Sequence, residues 1–149
     1  MKRYTFRFDY SELKINPSRI LKLLDCERED SPEFLLKSID KVLSEASELS
    51  DVKAELAICS NIKINKESGV MTIEGIDFHP GKIIISQLWK SESVAVFACT
   101  AGSRLSDRSK KLIEEKNLLE GYVFDVVGSE IVEAGADLMQ EKLKIMMAA

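Results

Sequence analysis

Polar and apolar residues alternate from the start of the chain. Tyr4, Phe6 and Phe8 are separated by Thr5 and Arg7, the period-two pattern of a half-buried strand over about 3–8. At Asn16-Pro17 the period changes to that of a helix, with Asn as the cap and Pro at the first helical position. Ile20, Leu21 and Leu24 form the apolar side of that short helix. Ser31-Pro32 repeats the start signal. Leu35, Leu36, Ile39, Val42, Leu43, Ala46 and Leu49 then recur at three- and four-residue spacing, which predicts a helix to about 50 with one apolar face to lay on a sheet.

Residues 54–64 alternate loosely as a strand, 65–69 form a turn, and 70–73 form a second strand, so the pair reads as a hairpin. A loop holding Pro80 follows over 75–81. Over 82–90, three consecutive isoleucines favour a strand while the flanking SQLWKSE favours a helix; the helix is preferred. Residues 94–100, VAVFACT, are almost wholly apolar and predict a central, buried strand. A helix over 103–116 should turn Leu105, Leu112 and Ile113 inward, and one long helix should occupy 119–146. The chain shows no internal repeat, low-complexity segment or linker. The expected architecture is a single α+β domain over 1–149, a mostly antiparallel sheet covered by helices with a long C-terminal helix.

Composition narrows the function classes. The 149 residues are 45% hydrophobic and 31% charged, with net charge −4, which fits a globular domain with a real core. Basic residues are interleaved with acids, so nothing points to nucleic acid. No apolar run approaches the ~20 residues of a membrane span, and the N-terminus lacks a signal-peptide core. These features predict a cytoplasmic protein with no membrane partner. Cys26, Cys59 and Cys99 are odd in number and far apart, which argues against a disulfide framework. Cys59 and Cys99 read as core residues and Cys26 as exposed.

The long helix carries the candidate chemistry. Its middle is small (Gly128, Ser129, Ala134, Gly135, Ala136), although each Gly costs roughly 1 kcal/mol against Ala in a helix interior. Asp125, Ser129, Glu133, Asp137 and Glu141 follow at four-residue spacing and share a face. The plainest account is a solvated acidic stripe beside a tightly packed small-residue face. Local rules broken without visible gain are also expected at functional sites. Thr100-Ala-Gly102-Ser103 joins the apolar strand to a helix whose free N–H groups could hold an anion, though an ordinary capped turn is the preferred account. His79, the lone histidine, has no ligand spacing around it and reads as a surface residue, so no metal site is expected. Trp89 reads as a packing residue. Phosphate-loop, dinucleotide-binding and nucleophile-elbow motifs are absent.

The segments VAVFACTAGS, LLEGYVFDVVGS and EAGADLMQEKL resemble the activation domain of vitamin B12-dependent methionine synthase. INPSRILKLLDC and SPEFLLKSIDKVLSEASEL agree with it in order, over nearly the whole chain. The resemblance implies a domain that binds S-adenosylmethionine and docks on a cobalamin-carrying partner whose cobalt has been oxidised. The resemblance also implies a flavodoxin-type donor that supplies the electron for reductive methylation of cob(II)alamin. It further implies an accessory positioning role and no independent catalytic residue. By position, Glu133 matches the family's acidic ligand contact. Asp137 and Ser129 on the same face, with Thr100 and Gly102 at the turn, complete the expected ligand-binding set.

The chain also departs from the family. The motif Arg-x-x-x-Gly-Tyr does not occur within these 149 residues: the sole Gly-Tyr is Gly121-Tyr122, and Asn117 stands four before Gly121. The expectation is therefore a shortened activation-domain form acting in trans on a methionine synthase. The alternative is a non-catalytic binding or assembly module. Such a module would dock on a corrinoid protein, or form a homodimer through Met146, Met147 and the small-residue face, without binding S-adenosylmethionine. An unrelated enzyme using the acidic helix ranks last, because no nucleophile–base pair is visible.

Overall fold

The computed structural model describes residues 1–26 and 31–148. In chain order these form β1 (Lys2–Phe8), α1 (Pro17–Leu23), α2 (Glu33–Leu49), β2 (Val52–Cys59), β3 (Ile62–Asn65), β4 (Val70–Ile73), β5 (Ile76–Phe78), α3 (Lys82–Leu88), β6 (Val94–Thr100), α4 (Ser103–Glu114) and α5 (Leu118–Ala148). The architecture is α+β, as the pattern of elements predicts. The chain divides into two compact units, Met1–Thr5 with Glu55–Ala98, and Phe6–Ala54 with Cys99–Ala149.

Instead of one sheet there are two, each of three strands, in the orders β1-β2-β6 and β3-β4-β5. Ser60 and Asn61 interrupt the run expected as a single strand over 54–64. β6 is not central. It lies outermost beside β2, and its residues alternate between half-buried and exposed. The apolar run misleads because the exposed residues of β6 are Val96, Ala98 and Thr100, of which only Val96 is a large apolar group. β2 takes the central place and buries Val52, Ala54, Leu56 and Cys59. Its neighbours run antiparallel. Arg7, late in β1, reaches Asp51 just before β2, and the Asp51 N–H donates to the Ala101 carbonyl just after β6 at 2.9 Å.

In the first unit β3 and β4 pair antiparallel with Ile62 opposite Ile73 and Asn65 opposite Val70, confirming the hairpin. The Asn65 side chain accepts from the N–H groups of Glu67 and Ser68 and holds the turn. β5 falls inside the segment expected to be a loop. Glu74 and Gly75 have φ of 50° and 85°, the double positive-φ geometry of a tight hairpin turn. α3 forms over the ambiguous isoleucines and buries Ile85 against Cys59, Met71 and Ile73. Trp89 is not a packing residue: its ring lies on the surface, with Lys66 Nζ 3.4 Å from the ring centroid.

In the second unit α5 packs against α4, α2 and α1. Val123, Phe124, Val127, Ile131 and Met139 of α5 are fully buried. α1 begins as expected, the Asn16 side chain accepting from the Ser18 N–H at 3.0 Å. α2 begins one residue later than Ser31-Pro32 suggests. Pro32, with extended backbone, is the cap residue and Glu33 the first helical one. Lys41 pairs with Glu120 at 2.7 Å and Arg108 with Glu45 at 2.6 Å, tying α2 to α5 and α4 to α2. Leu105 and Leu112 of α4 face inward as expected, but Ile113 is exposed and lies along the α4–α5 crossing. Among the described residues no helix is long and apolar enough to cross a membrane.

Candidate functional site

The small residues of α5 divide into two kinds. At Gly135 an added Cβ would stand 2.9 Å from Cys99 Sγ and 3.0 Å from Val52 Cγ1, so this glycine marks a close approach between α5 and the sheet residues of its own unit. At Gly121 the added carbon would lie 2.6 Å from Ile113 Cγ1, at the α4–α5 crossing. The Ser109 hydroxyl donates to the Gly121 carbonyl there at 2.7 Å. Ala134 and Gly135 of the small-residue face are buried inside this unit. Gly128 differs. Its nearest neighbour across the gap, Leu105, would be 3.9 Å from an added Cβ.

That looser packing leaves a cavity of about 380 Å³ between the β6–α4 turn and α5. Thr100, Ala101 and Gly102 form one wall. Leu105 and Ser106 of α4 form a second, and α5 supplies Asp125, Gly128, Ser129, Val132 and Glu133. Gly102 has φ 84°, and a Cβ on it would press on Asp51 Cβ at 3.2 Å, so both its backbone and its neighbour select glycine. Its N–H donates to Thr100 Oγ1 at 3.1 Å. Asp51 fixes the turn from behind. Its N–H bonds to Ala101, while its carboxylate takes Lys53 at 2.6 Å and Arg7 at 2.7 Å. Those two cations, Lys53 foremost, hold the Asp51 carboxyl below the usual carboxylate range.

Four of the five residues expected from the sequence, Thr100, Gly102, Ser129 and Glu133, line this one cavity. Asp137 does not. It borders a separate cavity of about 230 Å³ with Lys14, Leu138 and Glu141. The Ser129 hydroxyl donates to the Asp125 carbonyl at 3.1 Å, which leaves its lone pairs open to a ligand donor. Thr100 Oγ1 accepts from Gly102, which leaves its own O–H to donate. Asp125 and Glu133 give the cavity two carboxylates, so its electrostatics suit a cation better than an anion. The anion-binding reading of the Thr100–Ser103 turn is the weaker one for that reason.

The acidic stripe is exposed along its length, but much of it is paired. Lys14 meets Glu141 at 3.0 Å, and Arg19 spans Glu130, Glu133 and Asp137. Glu130 and Arg19 were not among the residues the sequence singled out. A signal was present: Glu130 sits three and four residues from Val127, Val126 and Ala134, on the buried face of α5, where a carboxylate needs a partner. Among the described residues no three His, Cys, Asp or Glu side chains gather into a metal-binding group. No protein-family model matches the chain, and no curated protein matches it.

Proposed function

We propose that this chain is an accessory module of the methionine synthase activation type, which holds S-adenosylmethionine in the cavity between the Thr100–Gly102 turn and α5. The convergence of Thr100, Gly102, Ser129 and Glu133 on one cavity carries the reading. Its volume of about 380 Å³ lies within the roughly 300–1,000 Å³ of small-molecule sites. The lining fits the ligand's chemistry: carboxylates for its cationic groups, hydroxyls at Thr100 and Ser129 for polar contacts, and Leu105 and Val132 for apolar ones.

Bound there, S-adenosylmethionine would supply the methyl group for reductive methylation of cob(II)alamin carried by a partner corrinoid protein, with an electron from a flavodoxin-type donor. The chain's own part is proximity and orientation. Glu133 holds the charge of the ligand, and the glycine turn lets backbone approach closely. Asp51 keeps that turn in place. Calorimetric titration with S-adenosylmethionine tests the reading directly. Binding to the wild type that is lost in Glu133→Ala supports it; no heat from the wild type removes it.

A second reading is favoured by one observation. Glu133 already has a cationic neighbour in Arg19, 3.7 Å away. A module that docks on a corrinoid protein without taking S-adenosylmethionine would need no freer carboxylate. Co-migration with a purified corrinoid protein, in the absence of S-adenosylmethionine, would support that reading.

A further inference from the structure

Arg19 touches three acids that behave differently. They stand at positions 130, 133 and 137 on one face of α5. Arg19 Nε lies 3.3 Å from Glu130 Oε2, one Nη lies 3.7 Å from Glu133 Oε2, and the other lies 3.6 Å from Asp137 Oδ2. The Glu130 side chain is 0% exposed, and its second oxygen accepts the Asn16 N–H at 3.2 Å. Glu133 and Asp137 are 62% and 64% exposed. Water and salt screen those outer pairs, whereas the contact with Glu130 lies on the protein side. The guanidinium is thus anchored at one end and loosely shared at the other, and one of the loose shares falls on the cavity's own carboxylate.

We propose that Arg19 is an internal cation that competes with a cationic ligand for Glu133, and so sets how strongly the cavity prefers a cationic occupant over a neutral one. The inference rests on the reading of this cavity as the S-adenosylmethionine site. A sulfonium group arriving at Glu133 displaces only the 3.7 Å pair, while Arg19 keeps Glu130 and Asp137. Arg19 is a positioning residue here: it tunes Glu133 and does not itself hold the ligand.

S-adenosylhomocysteine lacks the sulfonium charge and serves as the neutral-sulfur control. Removing Arg19 by itself would leave the Glu130 carboxylate buried without a cation and destabilise the unit. The informative protein is the double variant Arg19→Gln/Glu130→Gln, in which the amide oxygen introduced on α5 can still accept from the Asn16 N–H. Its affinity for S-adenosylmethionine is expected to rise roughly two- to five-fold over wild type, the range spanned by exposed ion pairs. Its affinity for S-adenosylhomocysteine should stay put, and adding Glu133→Gln should erase the gain. If the wild type binds S-adenosylmethionine and the double variant binds it no better, the role of Arg19 is overturned while the cavity reading stands. Equal gains for both ligands also overturn it, since the sulfonium charge would then not be the cause. If neither ligand binds any of the proteins, the cavity reading and this inference fall together.

Discussion

Arg19 Nε stands 3.3 Å from Oε2 of Glu130, a carboxylate with no exposed surface. The pair joins α1 to the middle of α5, and the Asn16 N–H, at the cap of α1, completes it. Oε2 is close to Arg19 but lacks the alignment of a hydrogen bond, so the contact is an ion pair first. A buried carboxylate held this way makes the α1–α5 junction depend on charge.

Arg19→Ala should therefore destabilise the protein by about 2 kcal/mol. This is less than the roughly 3–5 kcal/mol for breaking a fully buried pair, because Arg19 is 43% exposed and water can enter where it stood. Arg19→Gln/Glu130→Gln should recover most of the loss. Urea titration reads both as shifts of midpoint at constant slope. A wild-type midpoint for Arg19→Ala would mean that Asn16 suffices to hold Glu130.

The two kinds of glycine in α5 should respond in opposite ways. Gly135→Ala forces a carbon to 2.9 Å from Cys99 Sγ, and the expected cost of about 1–3 kcal/mol for overpacking exceeds the helix-propensity gain. Gly128→Ala meets Leu105 at an ordinary 3.9 Å and should stabilise by roughly 0.5–1 kcal/mol. The same methyl group enters the proposed ligand cavity, so Gly128→Ala should melt higher yet bind S-adenosylmethionine more weakly. Tighter binding in this variant would argue against the cavity as the site.

Asp51 should contribute an acid-sensitive part of the stability. Its carboxyl is held below its ordinary value of 3.8 by Lys53 and then Arg7. A folded-state value below the unfolded one means that the contribution is complete above about 3.8 and fades as pH falls through the lower folded value. Between those two values the unfolded chain takes up the proton first, so acid favours unfolding. Asp51→Asn should be flatter in stability against pH below pH 3.8, and less stable than wild type at neutral pH. Parallel slopes for the two proteins in acid would show that Asp51 is not linked to unfolding.

Cys99 should be a poor nucleophile. Burial beside α5 pushes its thiol above the ordinary 9.0, and a hydrogen bond donated by the Thr100 backbone N–H to the sulfur offsets this only in part. Because the thiolate is the reactive form, Cys99 should alkylate at neutral pH much more slowly than a thiol in short peptides. Mass spectrometry of the iodoacetamide-treated native protein checks this. Prompt labelling at Cys99 would show that the packing against Gly135 opens readily.

Local patterning was enough for most of the elements. The three- and four-residue spacing of α2, the Asn16-Pro17 start of α1 and the span of α5 depend on neighbours along the chain, and these the sequence determined by itself. It also flagged Thr100, Gly102, Ser129 and Glu133, through an unusual turn and an unusual helix. Tertiary structure decided the rest. β6 reads as a central strand until β2 takes the middle, because strand order depends on pairing between distant segments. Gly121, Gly128 and Gly135 are identical in sequence terms. Only the neighbours of each, Ile113, Leu105 and Cys99, make one a helix crossing, one a cavity wall and one a close contact. Asp137 shares a helix face with Glu133 but falls to a different cavity, since a helix face is straight and the surface packed against it is not. Arg19 lies over a hundred positions from Glu130. Their meeting is set by how α1 packs on α5, which no local spacing encodes.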